Sequence, residues 1–330
     1  MSKVCNHQLE CARYHTPDIM MMQHIAQPSM KSSSQAGMVL LVTLAAMALL
    51  IPLVYTGMES QRFHLRQVQQ ELDLEIAHRR AESMLDKVMQ ILVKDGSQDR
   101  AVDHLNEEWA KSISLTGTEN DTVEALLEDT ARRWNLNAVK KPNGQINTEL
   151  RTVLTRLFER EGISLELLES LTERLGPIDL TTEEQKPPTG NSPPMIAKPP
   201  LQAMEELLQI KGWNTVVLQK LQQFVTVNEN CTNSRLNINT ASSKTLEPLA
   251  PDQNWQHVEE IRKATPIMQL TNLGAVGVIL APEMASLLTV TSHCHVAHIR
   301  SRVNSSHGIL TVWMVRNRTQ VTITKTRWNG

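Results

Sequence analysis

From Met38 to Tyr55 the chain reads MVLLVTLAAMALLIPLVY, a run without a single charge. At a helical rise of about 1.5 Å per residue, such a run comes close to the thickness of a bilayer core. Backbone amides in hydrocarbon must bond within their own segment, so a stretch that enters it is a helix. At Glu59 the polarity changes abruptly, yet the period does not. Leu65, Val68, Leu72, Ile76, Ala81, Met84, Leu85, Val88 and Leu92 recur mostly at three- and four-residue steps. Neither Gly nor Pro interrupts Met58–Asp95, so the pattern predicts one long helix over 38–95, transmembrane to about residue 58 and amphipathic beyond it.

Past that helix, Asp95–Asp99 reads as a turn and Asp103–Ala110 as a short helical or looped piece. Asp121–Val139 is mixed, with a strand-like alternation of Trp134, Leu136 and Ala138 against Asn135 and Asn137; Lys141–Gly144 is a turn. Leu150, Val153, Leu154, Leu157 and Phe158 form one helical face; Gly162 separates it from a second, with Leu165, Leu167, Leu168, Leu171 and Leu175. Residues 181–200 are proline-rich and read as a surface loop. Helical spacing returns over Leu201–Val227, with Gly212 at a turn. Arg235–Ala241 then reads as an extended entry, with Thr240 or Ser242 capping the helix over Ser242–Leu249. From Leu287 the period becomes two: Leu288 and Val290, Val296 and Ile299, Ile309 to Val315, Val321 and Ile323, with turns at Gly308 and Asn317-Arg318.

These elements predict an α+β fold, in which the amphipathic half of the long helix packs on a C-terminal antiparallel sheet of about three strands. The expected division is 1–37 before the helix, 38–95, 96–140, a helical insert over 141–230, a second helical part over 231–285, and the sheet over 286–330. A net charge of −2 argues against a polyanionic partner in bulk, and 3% aromatics means cores built of Leu, Ile, Val and Met. Cys5 and Cys11 precede the apolar run, and Cys231 and Cys294 follow it. If the chain beyond Met58 is exported, the latter two form an even pair in an oxidising compartment and are a candidate disulfide. His293-Cys294-His295 with His298 suggests zinc, but alternation on a strand turns Cys294 away from both histidines. Solvent-facing histidines beside a structural cysteine are the expected reading. No G-x-S-x-G, P-loop or HExxH motif is present, so no enzyme is expected.

The residues before the apolar run, Met30-Lys31-Ser-Ser-Ser-Gln-Ala-Gly37, are short, polar and basic, and end in glycine. No A-x-A follows the run, where a secretory signal would be cut. A leader closing at Gly37 with the helix left attached resembles the class III signal of type IV pilins and type II secretion pseudopilins. That resemblance implies cutting by a prepilin peptidase between Gly37 and Met38 and methylation of Met38. Residues 1–29 show no periodicity, and a leader of ordinary length would start at Met30. Lys31 on one side and Arg62 and Arg66 on the other leave orientation by charge undecided; the leader implies a cytoplasmic amino terminus. A plain single-span scaffold protein is the bland alternative.

Taken in order, the leader, Asp103–Ala110, Trp134–Ala138, Leu201–Gly212 and Leu236-Asn237-Ile238-Asn239-Thr240-Ala241 resemble the minor pseudopilin K family of type II secretion. The family implies a pilin-like fold with a large helical insert of helix-hairpin-helix or SAM-like kind, in the inner membrane with its bulk periplasmic. It implies a place at the pseudopilus tip, helping to prime fibre growth, with the I and J minor pseudopilins, the major pseudopilin and prepilin peptidase as partners. Assembly would run through the apolar helix, here Leu40, Leu41, Val42, Leu44 and Leu49, by van der Waals packing. Most pilin-like helices carry a Glu at the fifth mature position; here it is Val42, as suits a subunit with nothing ahead of it. Family members often carry a calcium-associated acidic phrase, of which only Asp179, Glu183 and Glu184 remain as weak oxygen donors. No cofactor is otherwise expected. The phrase LNINTASSKTLEPL also resembles the helix-hairpin-helix modules of membrane-anchored DNA-uptake receptors. Its hairpin, Ala250–Asn254, lacks glycine and holds Pro251 and Asp252, with Arg262 and Lys263 the nearby cations, so nucleic acid is not expected.

Overall fold

A computed structural model of the 330-residue chain describes residues 35–97, 102–117, 121–141, 145–175, 199–231 and 235–329. The expected leader up to residue 34, most of the proline-rich loop, and Asp179, Glu183 and Glu184 lie outside the described residues. Helix α1, Gln35–Gly96, is continuous over 62 residues. The chain falls into two units that part at Leu65/Arg66, and each is described by itself.

In the first unit every described side chain from Gly37 to Leu65 is exposed, and the apolar run is long and apolar enough to cross a membrane.

The second unit begins with the rest of α1 and continues through β1 (Ile113–Thr116) and β2 (Asp121–Asp129). A helical insert follows: β3 (Trp134–Asn135), α2 (Thr148–Arg160), α3 (Leu165–Arg174), α4 (Thr215–Leu221), β4 (Val225–Thr226), β5 (Leu236–Asn237), α5 (Ser243–Leu246), α6 (Trp255–Ala264), α7 (Pro282–Ala285) and β6 (Leu288–Thr289). The chain then returns to the sheet with β7 (Cys294–Val303), β8 (Ser306–Asn317) and β9 (Gln320–Asn329). Sheet order is β1-β2-β7-β8-β9, antiparallel throughout. The insert therefore leaves and re-enters between two neighbouring strands.

Five strands form where three were expected, because β1 and β2 are part of the sheet. In β2, Val123, Ala125 and Leu127 are buried while Glu124 and Leu126 point outward. A leucine on the wet face and a run of helix-favouring Ala, Leu and Glu obscure the period of two. On the inner face Val123, Ala125, Leu127, Ala297, Ile299, Leu310, Val312 and Met314 meet Ala81, Met84, Leu85, Val88, Ile91 and Leu92 of α1. That is the expected packing of helix on sheet.

The upstream end of the helical stripe differs from expectation. Leu65, Val68, Leu72 and Ile76 are 70%, 52%, 53% and 41% exposed. At about 100° per residue their mean direction lies roughly 145° around the axis from that of Ala77, Ala81, Met84 and Val88. Where the sheet's far end reaches α1, it meets buried Asp73, whose carboxylate accepts from Asn304 Nδ2 (3.1 Å) in the β7–β8 turn. The stripe is thus two faces, of which only the second is covered by this chain.

The insert has its own core. Leu150, Val153, Leu154, Leu157 and Phe158 of α2 pack on Leu168 and Leu171 of α3 and on Leu201, Leu207, Trp213 and Leu221. Gly212 is fixed by geometry: φ is +89°, and a Cβ there would stand 2.6 Å from Leu167 Cδ2. The strand-like alternation at Trp134–Ala138 survives for only two residues. Asn135 Oδ1 accepts from the Asn137 N–H and turns Leu136–Val139 into a 3-10 helix.

Candidate functional site: an exposed helix and a buried polar junction

Three groups of residues are candidates for function: the start of α1, the asparagine-rich phrases, and the acidic cluster where α1 ends.

At the start of α1, Met38, Leu40, Leu41, Val42, Leu44 and Leu49 are 59–76% exposed, with Val42 at 60%. Gly37 has open space around the place of a Cβ, so no packing in this chain requires glycine there. Thr43 Oγ1 donates to the Leu40 carbonyl (2.9 Å), and Thr56 Oγ1 does the same to Leu53 (2.9 Å), which satisfies both hydroxyls inside the helix.

The phrases that stand out in sequence are internal clamps. Asn135 Nδ2 donates to the carbonyls of Asn228 and Cys231, both at 2.8 Å; Asn137 donates to the Leu201 carbonyl (2.8 Å) and accepts its N–H (2.9 Å). Asn239 does the same for Ile267 (3.0 and 2.9 Å). Asn237, fully buried, donates to the Asp103 carbonyl (3.0 Å) and Ser292 Oγ (2.8 Å) and accepts from the Asn239 N–H (2.9 Å). A side-chain amide offers donor and acceptor together, which suits it to irregular segments whose backbone groups have no ladder partner. Arg262 is buried and donates to the carbonyls of Ile238 and Ala241. It is therefore spent inside the fold.

Asp129 ends β2 and anchors the insert to the sheet. Its Oδ2 accepts from Thr240 Oγ1 (2.5 Å) and Ser292 Oγ (2.6 Å), and its Oδ1 accepts from the Ala131 N–H (2.7 Å). Burial nevertheless raises its pKa to about 6. Beside it, Arg316 of β8 pairs with Asp95 at the end of α1 and with Asp103. Asp103 is pushed up by burial, against the pull of that guanidinium. Carboxyl oxygens of Asp95, Asp103 and Glu107 come within 4.8 Å of one another, and Arg316 supplies the positive charge among them. Nothing in the sequence singles out Asp129, Ser292 or Arg316; their only signal is position at element ends, where chain segments meet.

Cys231 and Cys294 are disulfide-bonded, with Cα atoms 6.6 Å apart, tying the insert to the first residue of β7. Of the two histidines beside Cys294, His293 is exposed as expected and His295 is not. His295 is wholly buried on the inner face, with its ring 5.2 Å from that of Trp109 in an edge arrangement, and burial lowers its pKa to about 3. His298 is part-buried, and His293 Nδ1 lies 3.3 Å from the Arg316 carbonyl. They face different surroundings and do not converge.

The groove between α5 and α6, about 440 Å³, is where a helix-hairpin-helix module would be examined for phosphate binding. Lys244 and Lys263 line it together with Glu247, Glu259 and Glu260. Glu259 Oε2 accepts the Ser243 N–H (2.7 Å) that would otherwise be open to an anion.

A family model described as type II secretion system (T2SS), protein K, matches residues 132–230, the first part of the insert. Among solved structures, the chain is similar to one in the GspK-GspI-GspJ complex from the enterotoxigenic Escherichia coli type 2 secretion system. The match has a TM-score of 0.56 at 20% identity and covers 81% of this chain and 99% of that one, a likeness of fold. No curated protein matches.

Proposed function

We propose that this chain, which carries the protein K family domain of type II secretion over residues 132–230, is a minor pseudopilin whose work is assembly. It would be held in the inner membrane by the apolar part of α1, with its bulk periplasmic, after prepilin peptidase has cut between Gly37 and Met38. The open space at Gly37 supports this reading, since the fold itself has no need of glycine there. A requirement would come from an outside enzyme.

The observation that carries the proposal is the uncovered apolar surface of α1. It comprises the run from Met38 to Tyr55 and the stripe Leu65, Val68, Leu72 and Ile76, which the chain's own sheet leaves bare. Leaving such a stripe in water is unfavourable by about 25 cal/mol per Å², so it marks a place for neighbouring helices. Partners of matching chemistry are the I-type and J-type minor pseudopilins and the major pseudopilin. In the membrane, close packing of side chains would join them; beyond it, burial of the stripe would. Val42, where most pilin-like helices carry Glu, leaves no carboxylate for a subunit ahead, in keeping with a tip position that primes growth of the fibre. The insert, entering and leaving between β2 and β7, adds bulk that repeated stacking would not accommodate. Assembly by packing calls for no catalytic group and no cofactor.

Co-expression of the full chain with I-type and J-type minor pseudopilins, followed by size-exclusion chromatography in detergent, tests this. A ternary species should form and should be lost with Val68→Lys/Leu72→Lys. A chain that elutes alone, or a complex indifferent to both substitutions, would overturn the assignment.

A further inference from the structure

The loop 102–110 runs from the end of α1 across to the insert and is fastened at both ends. The Asp103 N–H donates to the Val290 carbonyl (2.9 Å), and Asn106 Nδ2 donates to the Lys263 carbonyl at the end of α6 (2.8 Å). Between these points Glu107 holds the loop's shape. Its Oε2 accepts both the His104 N–H (2.8 Å) and the Trp109 indole N–H (2.7 Å), while its Oε1 stands 3.9 Å from His104 Nε2.

The charges around Glu107 do not balance. Asp95 of α1 and Asp103 of the loop lie in the same cluster. Arg316 of β8 pairs with those two, and no ion pair joins it to Glu107 among the described residues. Lys94 of α1 is turned outward to Glu108 (3.2 Å). His104 is held below its ordinary pKa by burial, and His295 of β7 at about 3, so neither brings positive charge at neutral pH. His293, before β7, lies against the Arg316 carbonyl. Three carboxyl groups thus share one guanidinium, and the cheapest relief is for one of them to keep a proton. A separate observation points to the same place. His295 is 0% exposed, and neither ring nitrogen has a partner among the described residues; its ring abuts the Trp109 indole that fastens Glu107. The indole therefore rests on a polar ring that no hydrogen bond secures among the described residues.

We propose that Glu107 is a proton-operated latch, whose neutral form holds the 102–110 loop against α1 and the insert and whose charged form loosens it. A neutral carboxyl keeps its carbonyl oxygen as acceptor for both N–H groups and adds no charge beside Asp95 and Asp103. The carboxylate keeps the two acceptor contacts but sets a third negative charge in the cluster, and the loop gives way around Asn106, which one hydrogen bond ties to α6, while Asp103 stays fixed by Val290, Asn237, Ser292 and Arg316. Burial raises the Glu107 pKa to about 7, which puts the change near neutral pH. The consequence is mechanical: the insert's seat on the pilin body would be firmer on the acid side of neutrality. The inference is independent of the assembly role.

The test uses the full chain in detergent micelles with ¹⁵N-labelled tryptophan. The Trp109 indole resonance, assigned through Trp109→Phe, should move with a midpoint near pH 7. Hydrogen-exchange protection of residues 103–109, corrected for intrinsic rate, should fall several-fold between about pH 6 and about pH 8.5. Glu107→Gln should abolish both changes, and His104→Gln should leave them. Should Trp109→Phe fail to fold, the exchange measurement decides alone. An indole and a loop indifferent to pH over that range, or changes that persist in Glu107→Gln and vanish in His104→Gln, would overturn the latch.

Discussion

Asn237 gives the sharpest test of the idea that the most conspicuous phrase in the sequence is a clamp and not a binding motif. Asn237→Ala removes three donor contacts, one of them a long one to Asp129 Oδ2 (3.4 Å), and one acceptor contact from a residue with no exposed surface. Ser292 Oγ keeps its bond to Asp129, so it loses little. The Asp103 carbonyl and the Asn239 N–H are left without these partners in a buried place. Each such orphan costs about 1–3 kcal/mol, and the small void adds about 1 more, so a loss of about 3–7 kcal/mol is expected. That is a third or more of the stability of an ordinary domain. Urea unfolding of the full chain in micelles, followed by tryptophan emission, reads it as a lowered midpoint at unchanged slope. Asn329→Ala, at the exposed end of β9, is the control and should stay within about 0.5 kcal/mol. An Asn237→Ala loss below about 1 kcal/mol would refute the clamp, because it would mean that water or backbone shifts satisfy both groups.

Leu72→Lys should leave the unfolding midpoint of the isolated chain within about 0.5 kcal/mol, since its side chain touches no core of this chain; a larger loss would show that the stripe is covered intramolecularly. Cys231→Ser/Cys294→Ser opens a link that closes a 63-residue separation and should cost about 2–4 kcal/mol by urea unfolding. Identical midpoints with and without reductant in the native protein would contradict that. For pH, Asp129 sits above its ordinary value, so the stability it contributes is present below pH 3.8 and is lost as pH rises through about 6. His295 has the opposite sign: its contribution is present above pH 6.5 and is lost as pH falls towards about 3. Between about pH 4 and 6 the two slopes oppose and cancel, so Asp129→Asn should make melting temperature climb more steeply with pH over that range than in the native chain, and equal slopes in the two proteins would contradict the assignments.

The long helix was legible because both its halves are long and periodic, and so were α2 and α3, where five apolar side chains at helical spacing leave little choice in each. Strands β7 and β8 were legible from β-branched alternation. Strand β2 was not, because Leu126 occupies a wet position and the composition of EALLED favours helix. The division of the helical stripe at Ile76 is in the spacing, as the five-residue step to Ala81 that turns the direction around the axis; spacing does not give where along the axis the sheet stops. At the candidate site, Leu236–Ala241 could be picked out, but its partners could not. Asp129, Ser292 and Arg316 come from 108, 55 and 79 residues away in sequence from Asn237. Such a junction is a property of chain crossing. Spacing also placed His293 and His295 on one face but could not show that the strand begins only at Cys294, so that His293 stays exposed while His295 points into the interior.

The central claim is that the apolar helix stays with the product after its leader is removed. The most direct test is the amino-terminal sequence and intact mass of the chain isolated from membranes. The account predicts a product that starts at Met38 with a methylated amine, and Gly37→Ala should leave the leader attached. A membrane form that begins upstream of Gly37, or a Gly37→Ala chain processed as before and still taken into fibres, would contradict it.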